Sequence, residues 1–172
     1  MNDIALQALA QTAGLDAKRV DDLIALFETL TPSNLLRLDD FYSPTAAFKD
    51  PFNDISGREA IGALFAHMFE TLQAPHFVVH DRMVQGGQLF LTWSFFFHIK
   101  GFKGGQVQTI EGSSYLRWSL TPQGVWMIDA HRDYWDAAQE LYEKFPIVGG
   151  VLRWLRKRLA SPTLLRAGAR DL

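Results

Sequence analysis

The stretch from Phe77 to Trp135 constrains this fold more than any other part of the chain. Within it, Leu91, Trp93, Phe95 and Phe97 alternate with Thr92, Ser94, Phe96 and His98. Alternation at period two marks a strand with one face turned to a core. Gly86-Gly87 separates a strand predicted over 77–84 from one over 89–99, which is a hairpin signal. Gly101 to Gly105 makes the next turn, and Thr121-Pro122-Gln123-Gly124 joins strands predicted over 106–120 and 125–135.

Helices precede this sheet. Val20, Leu23, Ile24, Phe27 and Leu30 fall on one helical face, and Thr31-Pro32 reads as a stop followed by a short second helix to about Phe41. Ser43-Pro44 breaks that helix, and Ala46 to Pro51 reads as extended. Ser56-Gly57-Arg58-Glu59 has the form of a capping box. It predicts a helix to roughly Leu72 that buries Ile61, Leu64, Phe65, Met68 and Phe69. Helices first and antiparallel strands afterwards is the α+β pattern.

At 172 residues, with no repeat or low-complexity linker, one domain is expected over 1–136, with a helical extension over 137–172. Cysteine is absent, so any nucleophile or metal ligand must be of another kind. The N-terminus lacks a signal-peptide pattern and no apolar run is long enough to span a bilayer, which points to the cytoplasm. The net charge of −2 divides into −6 over residues 1–136, with 10 basic and 16 acidic groups, and +4 beyond, with 7 and 3. A near-neutral whole argues against a nucleic-acid binder.

The order of elements carries a resemblance, together with three segments. These are Tyr42-Ser43-Pro44-Thr45-Ala46-Ala47-Phe48-Lys49-Asp50-Pro51-Phe52, Gly57-Arg58-Glu59-Ala60-Ile61 and Ala130-His131-Arg132-Asp133-Tyr134-Trp135-Asp136. Over 16–136 the chain resembles the SnoaL-like and ketosteroid isomerase-like branch of the nuclear transport factor 2-like superfamily. The resemblance implies a cone-shaped barrel, in which a strongly curved, mostly antiparallel sheet packs on N-terminal helices around an apolar pocket. It also implies a small hydrophobic ligand, polycyclic or carbonyl-containing, and a homodimer through the sheet. The fold hosts isomerases, cyclases, epoxide hydrolases and non-catalytic binders, so the resemblance does not choose among them.

Three residues are candidates for acid–base chemistry. Asp50 matches the isomerase base, and the alternative is a residue that shapes the turn before Pro51. His131 and Asp133 share a strand face with Met127, Asp129 and Trp135 by simple alternation, and the resemblance turns that face to the pocket. There a histidine beside two carboxylates can shuttle protons; the alternative is a polar network that fixes the fold. The isomerases also need two donors for an enolate oxygen. Here Phe27 or Leu26 stands where the resemblance expects a Tyr, and Ser114 where it expects an Asp, so steroid isomerisation is not expected.

Phe27, Trp93, Phe95, Phe97, Ser114, Trp118 and Trp135 are the expected ligand-lining residues. Arg117 and Asp133 face opposite ways by parity, against an epoxide hydrolase arrangement, and His76 and His80 are too far apart on a strand to share a metal. Neither a glycine-rich phosphate loop nor a metal set is legible, so no cofactor is expected. The row Thr92, Ser94, Phe96, His98 is expected to be exposed and available for dimerisation. The amphipathic segment 151–159 is expected to pack on the domain or a partner, a membrane surface being the less favoured reading. Two function classes follow: cofactor-free acid–base catalysis, and a non-catalytic binding or assembly module.

Overall fold

The computed structural model describes residues 15–99 and 105–137. Two helices, α1 (Ala17–Glu28) and α2 (Arg58–Thr71), accompany six strands: β1 (Tyr42–Lys49), β2 (Asp54–Ser56), β3 (Gln73–Gln85), β4 (Gln88–His98), β5 (Gln108–Leu120) and β6 (Trp126–Trp135). The strands form one sheet in the order β2-β1-β6-β5-β4-β3. All neighbours run antiparallel except β1 and β6, which are parallel. The sheet is curved and unclosed, with β2 and β3 at its edges, and forms the wall of the expected cone.

The helices cover one face of that wall. Asp16 caps α1 by accepting from the Lys18 amide at 3.1 Å, and Val20, Leu23, Leu26 and Phe27 are buried along the helix. α2 buries Ile61 and Phe65. Against them lie the inward residues of the sheet, Leu89, Leu91, Trp93, Phe95, Phe97, Leu116, Trp118 and Ile128. Burial of a side chain of this size stabilises by about 1.5–3 kcal/mol, so this layer dominates the stability of the domain.

Several local expectations need correction. The capping box is not formed: Ser56 ends β2, and the residue before α2 is Gly57 at φ +98°, with no side-chain cap. That backbone angle favours glycine and lets the chain turn from strand into helix in one residue. The second helix is a 3₁₀ segment, Leu35–Asp40. Ser43-Pro44 does not break the chain but lies inside β1, where the ladder to β6 is interrupted between Tyr42 and Ala47. A residue without an N–H is tolerated at such a gap. Ser94 is buried rather than exposed. It donates to Glu111 at 2.8 Å, and its Oγ lies 2.6 Å from Nε2 of His80. Segment 151–159 lies outside the described residues. No helix among the described residues is long and apolar enough to cross a membrane.

Candidate functional site

Strand register builds the site. On the inner face Leu91 pairs with Ser114 and Ser114 with Asp133; Trp93 pairs with Gly112, and Leu116 with His131. Across the parallel seam His131 meets Phe48. Ser114 and Asp133 therefore stand side by side on adjacent strands with their side chains on one face.

Gly112 makes room for this arrangement. A Cβ there would come within 2.3 Å of the Trp93 ring, well inside van der Waals contact, so the indole lies flat over the glycine. Seated this way, Trp93 Nε1 donates to Ser114 Oγ at 2.8 Å. Ser114 in turn donates to Asp133 Oδ1 at 2.5 Å. His131 Nε2 lies 2.8 Å from the same oxygen, and Nδ1 lies 2.6 Å from the hydroxyl of Tyr42. Five side chains from four strands thus form one chain of hydrogen bonds that ends on a single carboxylate oxygen.

The direction of the protons follows from the partners. Tyr42 is fully buried, and burial pushes its phenol well above the ordinary value of 10.0, with the nearby Asp133 charge adding to the shift. As a phenol it can donate its O–H to Nδ1 of His131, which is the tautomer in which Nε2 carries the ring proton and donates to Asp133. A protonated ring would leave the buried Tyr42 hydroxyl without an acceptor, at a cost of about 1–3 kcal/mol.

Asp133 Oδ2 is different. Both donors reach Oδ1, and no donor among the described residues reaches Oδ2. The Asp133 side chain is 18% exposed and lines a cavity of about 30 Å³. The walls are the rings of Phe27, Phe65, Phe77 and Trp93 with Val79 and Leu91; Ser114, His131 and Asp133 supply the polar side. The free space suits one or two waters and lies well below the roughly 300–1,000 Å³ of a pocket for drug-sized ligands.

The other candidates are placed elsewhere. Asp50 turns its carboxylate onto its own loop, accepting from the amides of Phe52 at 2.7 Å and Asn53 at 2.6 Å and from the Asn53 side chain at 3.0 Å. It is not in the Asp133 cluster. Phe95 and Phe97 are buried behind the cavity in a stacked row with Phe77, at centroid distances of 4.4 and 5.1 Å. Trp118 packs edge-on against Phe41, with the Arg19 guanidinium 5.7 Å from its ring. Trp135 packs edge-on against Phe52 at 5.2 Å. None of these four rings lines the cavity.

Asp129 is a further departure from the alternation. A register shift in the β5–β6 ladder lets Arg117 pair with Ala130 while Trp118 pairs with Ile128. The extra residue, Asp129, accepts from Arg117 at 2.9 Å and Ser119 at 2.5 Å. His131 is left with one carboxylate rather than two. A bulge of this kind resets facing along a strand and has no signature in an alternating pattern. Tyr42 went unnoticed as a site residue, because only the parallel β1–β6 seam brings it to His131.

The sequence profile of the SnoaL-like domain matches residues 23–119. Among curated proteins no sequence matches. Solved structures do. A protein with a ketosteroid isomerase-like fold from Catenulispora acidiphila, in complex with trimethylamine, is 19% identical with a TM-score of 0.58, covering 74% of this chain and 92% of its own. TsrD from Streptomyces laurentii is 18% identical, with a TM-score of 0.58 and coverage of 76% and 96%. An M. tuberculosis LEH-like epoxide hydrolase is 12% identical, with a TM-score of 0.57 and coverage of 84% and 93%. At such identities the likeness is one of fold.

Proposed function

The chain belongs to the SnoaL-like domain family, and on that premise we propose that it binds a small, mostly apolar molecule between α1, α2 and the sheet, with Asp133 as the group that engages it. One observation carries the reading. Asp133 lines an aromatic cavity, and its carboxylate is held rigidly through one oxygen while the other accepts no hydrogen bond among the described residues. Preorganised polar atoms in apolar surroundings are what small-molecule sites consist of.

The geometry supports recognition ahead of carbonyl chemistry. Enolate-forming reactions need donors at the developing oxyanion. Here the Trp93, Ser114, His131 and Tyr42 protons are all committed within the network. Where turnover occurs, the role open to Asp133 is proton acceptance at Oδ2, with His131 and Ser114 stabilising the carboxylate and Tyr42 fixing the imidazole tautomer. A polycyclic ligand requires Phe27, Phe65 or Phe77 to swing aside, since the cavity holds only about 30 Å³ of free space.

The test is a fragment titration followed through the indole N–H resonance of Trp93, with Asp133→Asn as the comparison. Saturable shifts in the wild type, weakened about tenfold or more in the variant, support the reading. Equal affinity in both proteins would remove Asp133 from it.

A further inference from the structure

Resting on that reading of the pocket, we infer that its ligand is a small organic cation, an ammonium on an apolar body, rather than a carbonyl compound. The inference is a proton count. Trp93 has one side-chain N–H, Ser114 one O–H and neutral His131 one ring N–H, and each is spent inside the network. The Tyr42 hydroxyl proton goes to His131. Every polar side chain on the cavity wall therefore has its proton engaged, and Asp133 Oδ2 is left as a bare acceptor. A carbonyl oxygen entering this cavity meets no donor and loses its water, which is costly. A ligand that carries its own N–H meets Oδ2.

Charge selects an ammonium over an alcohol. Among the described residues no lysine or arginine pairs with Asp133, and in this network its histidine neighbour accepts from Tyr42 at Nδ1 and donates a single N–H to it. A carboxylate mostly out of water, hydrogen-bonded through one oxygen and without a formal counter-charge, gains further from a cation brought by the ligand. The remaining wall suits that cation. The aromatic rings of Phe27, Phe65, Phe77 and Trp93 line the same cavity as Asp133, and rings attract an organic ammonium through their negative faces.

Three probes of matched size test the assignment on the full chain: isopropylammonium chloride, propan-2-ol and acetone, titrated at neutral pH against the Trp93 indole resonance. The expected order is ammonium, then alcohol, then ketone, with at least about tenfold between first and last. Acetone binding as tightly as the ammonium would overturn the cation assignment and leave the pocket reading standing. Binding of none of the three would overturn the pocket reading itself. A measurement needing no variant checks the proton count: the ring-nitrogen NMR shifts of His131 must show a neutral imidazole protonated at Nε2, and an imidazolium would overturn the inference. In Asp133→Asn, provided its melting curve stays cooperative, the ammonium preference should vanish; a preference that persists would overturn the inference too.

Discussion

Tyr42 and His131, 89 residues apart in sequence, meet through a 2.6 Å hydrogen bond across the parallel seam between β1 and β6. The bond links the start of β1 to the middle of β6 and fixes which ring nitrogen carries the proton. Structure and chemistry are coupled at this point, because the hydroxyl that closes the seam also bears on the direction of the His131–Asp133 hydrogen bond.

Tyr42→Phe removes that donor while keeping the ring. His131 Nδ1 is then a buried acceptor without a partner, since His131 is only 4% exposed. The expected loss of stability is about 1–3 kcal/mol, read by urea denaturation at neutral pH. The same variant should free the imidazole to change tautomer, visible as altered ring-nitrogen shifts. A variant as stable as the wild type with unchanged His131 resonances would show that the bond contributes nothing.

High pH should destabilise the wild type through the same residue. Burial raises the Tyr42 phenol in the folded state, while the unfolded chain titrates near 10.0. Above that value the unfolded state loses a proton that the folded state keeps, so stability falls as pH rises, by up to about 1.4 kcal/mol per pH unit. Below it the contribution is fully present. Unfolding curves between neutrality and high pH should slope less steeply in Tyr42→Phe than in the wild type. Parallel slopes would assign alkaline sensitivity to other groups.

Gly112→Ala tests the seat of Trp93. The added methyl would lie 2.3 Å from the indole, so the ring must move. Overpacking of this kind costs about 1–3 kcal/mol. The displaced indole should also lose its bond to Ser114, shifting tryptophan emission and the Nε1–H resonance together. A stable variant with an unmoved Nε1–H resonance would mean the glycine is incidental.

Much of this was legible in the sequence. Period-two alternation from Leu91 to Phe97 and the Gly86-Gly87 turn gave the β3–β4 hairpin, and the apolar spacing in α1 and α2 gave the covering helices. Both rest on local periodicity, which a single chain displays openly. The site was only half legible. His131 and Asp133 share a face two residues apart, which alternation displays, while the inward turn of that face came from the resemblance. Tyr42 depends on a non-local parallel pairing, and Asp129 on a bulge that reverses its facing. Neither event leaves a periodic trace. Gly112 had no reading as a seat for an indole, because that role depends on the β4–β5 register, which places it opposite Trp93.

Asp50 and Asp133 are the sharpest pair to contrast, since sequence reasoning singled out both as acid–base candidates. Their surroundings differ in kind. Asp50 is consumed by local hydrogen bonds: two backbone amides and the Asn53 side chain hold its carboxylate in a turn. Asp133 lines the cavity and keeps one oxygen out of the hydrogen-bond network. Asp50→Ala should therefore cost stability, about 1–3 kcal/mol for hydrogen bonds to a charged acceptor, discounted because the loop is partly exposed to water. Probe affinity should stay within about twofold of wild type. Asp133→Asn should do the reverse, lowering affinity about tenfold or more. The amide can keep one acceptor for Ser114 and His131, so stability should change less than affinity does. Running both variants through the same denaturation and titration separates a turn from a site. Should Asp50→Ala lose affinity while retaining wild-type stability, the functional carboxylate would be Asp50, and the isomerase-like assignment of that position would return.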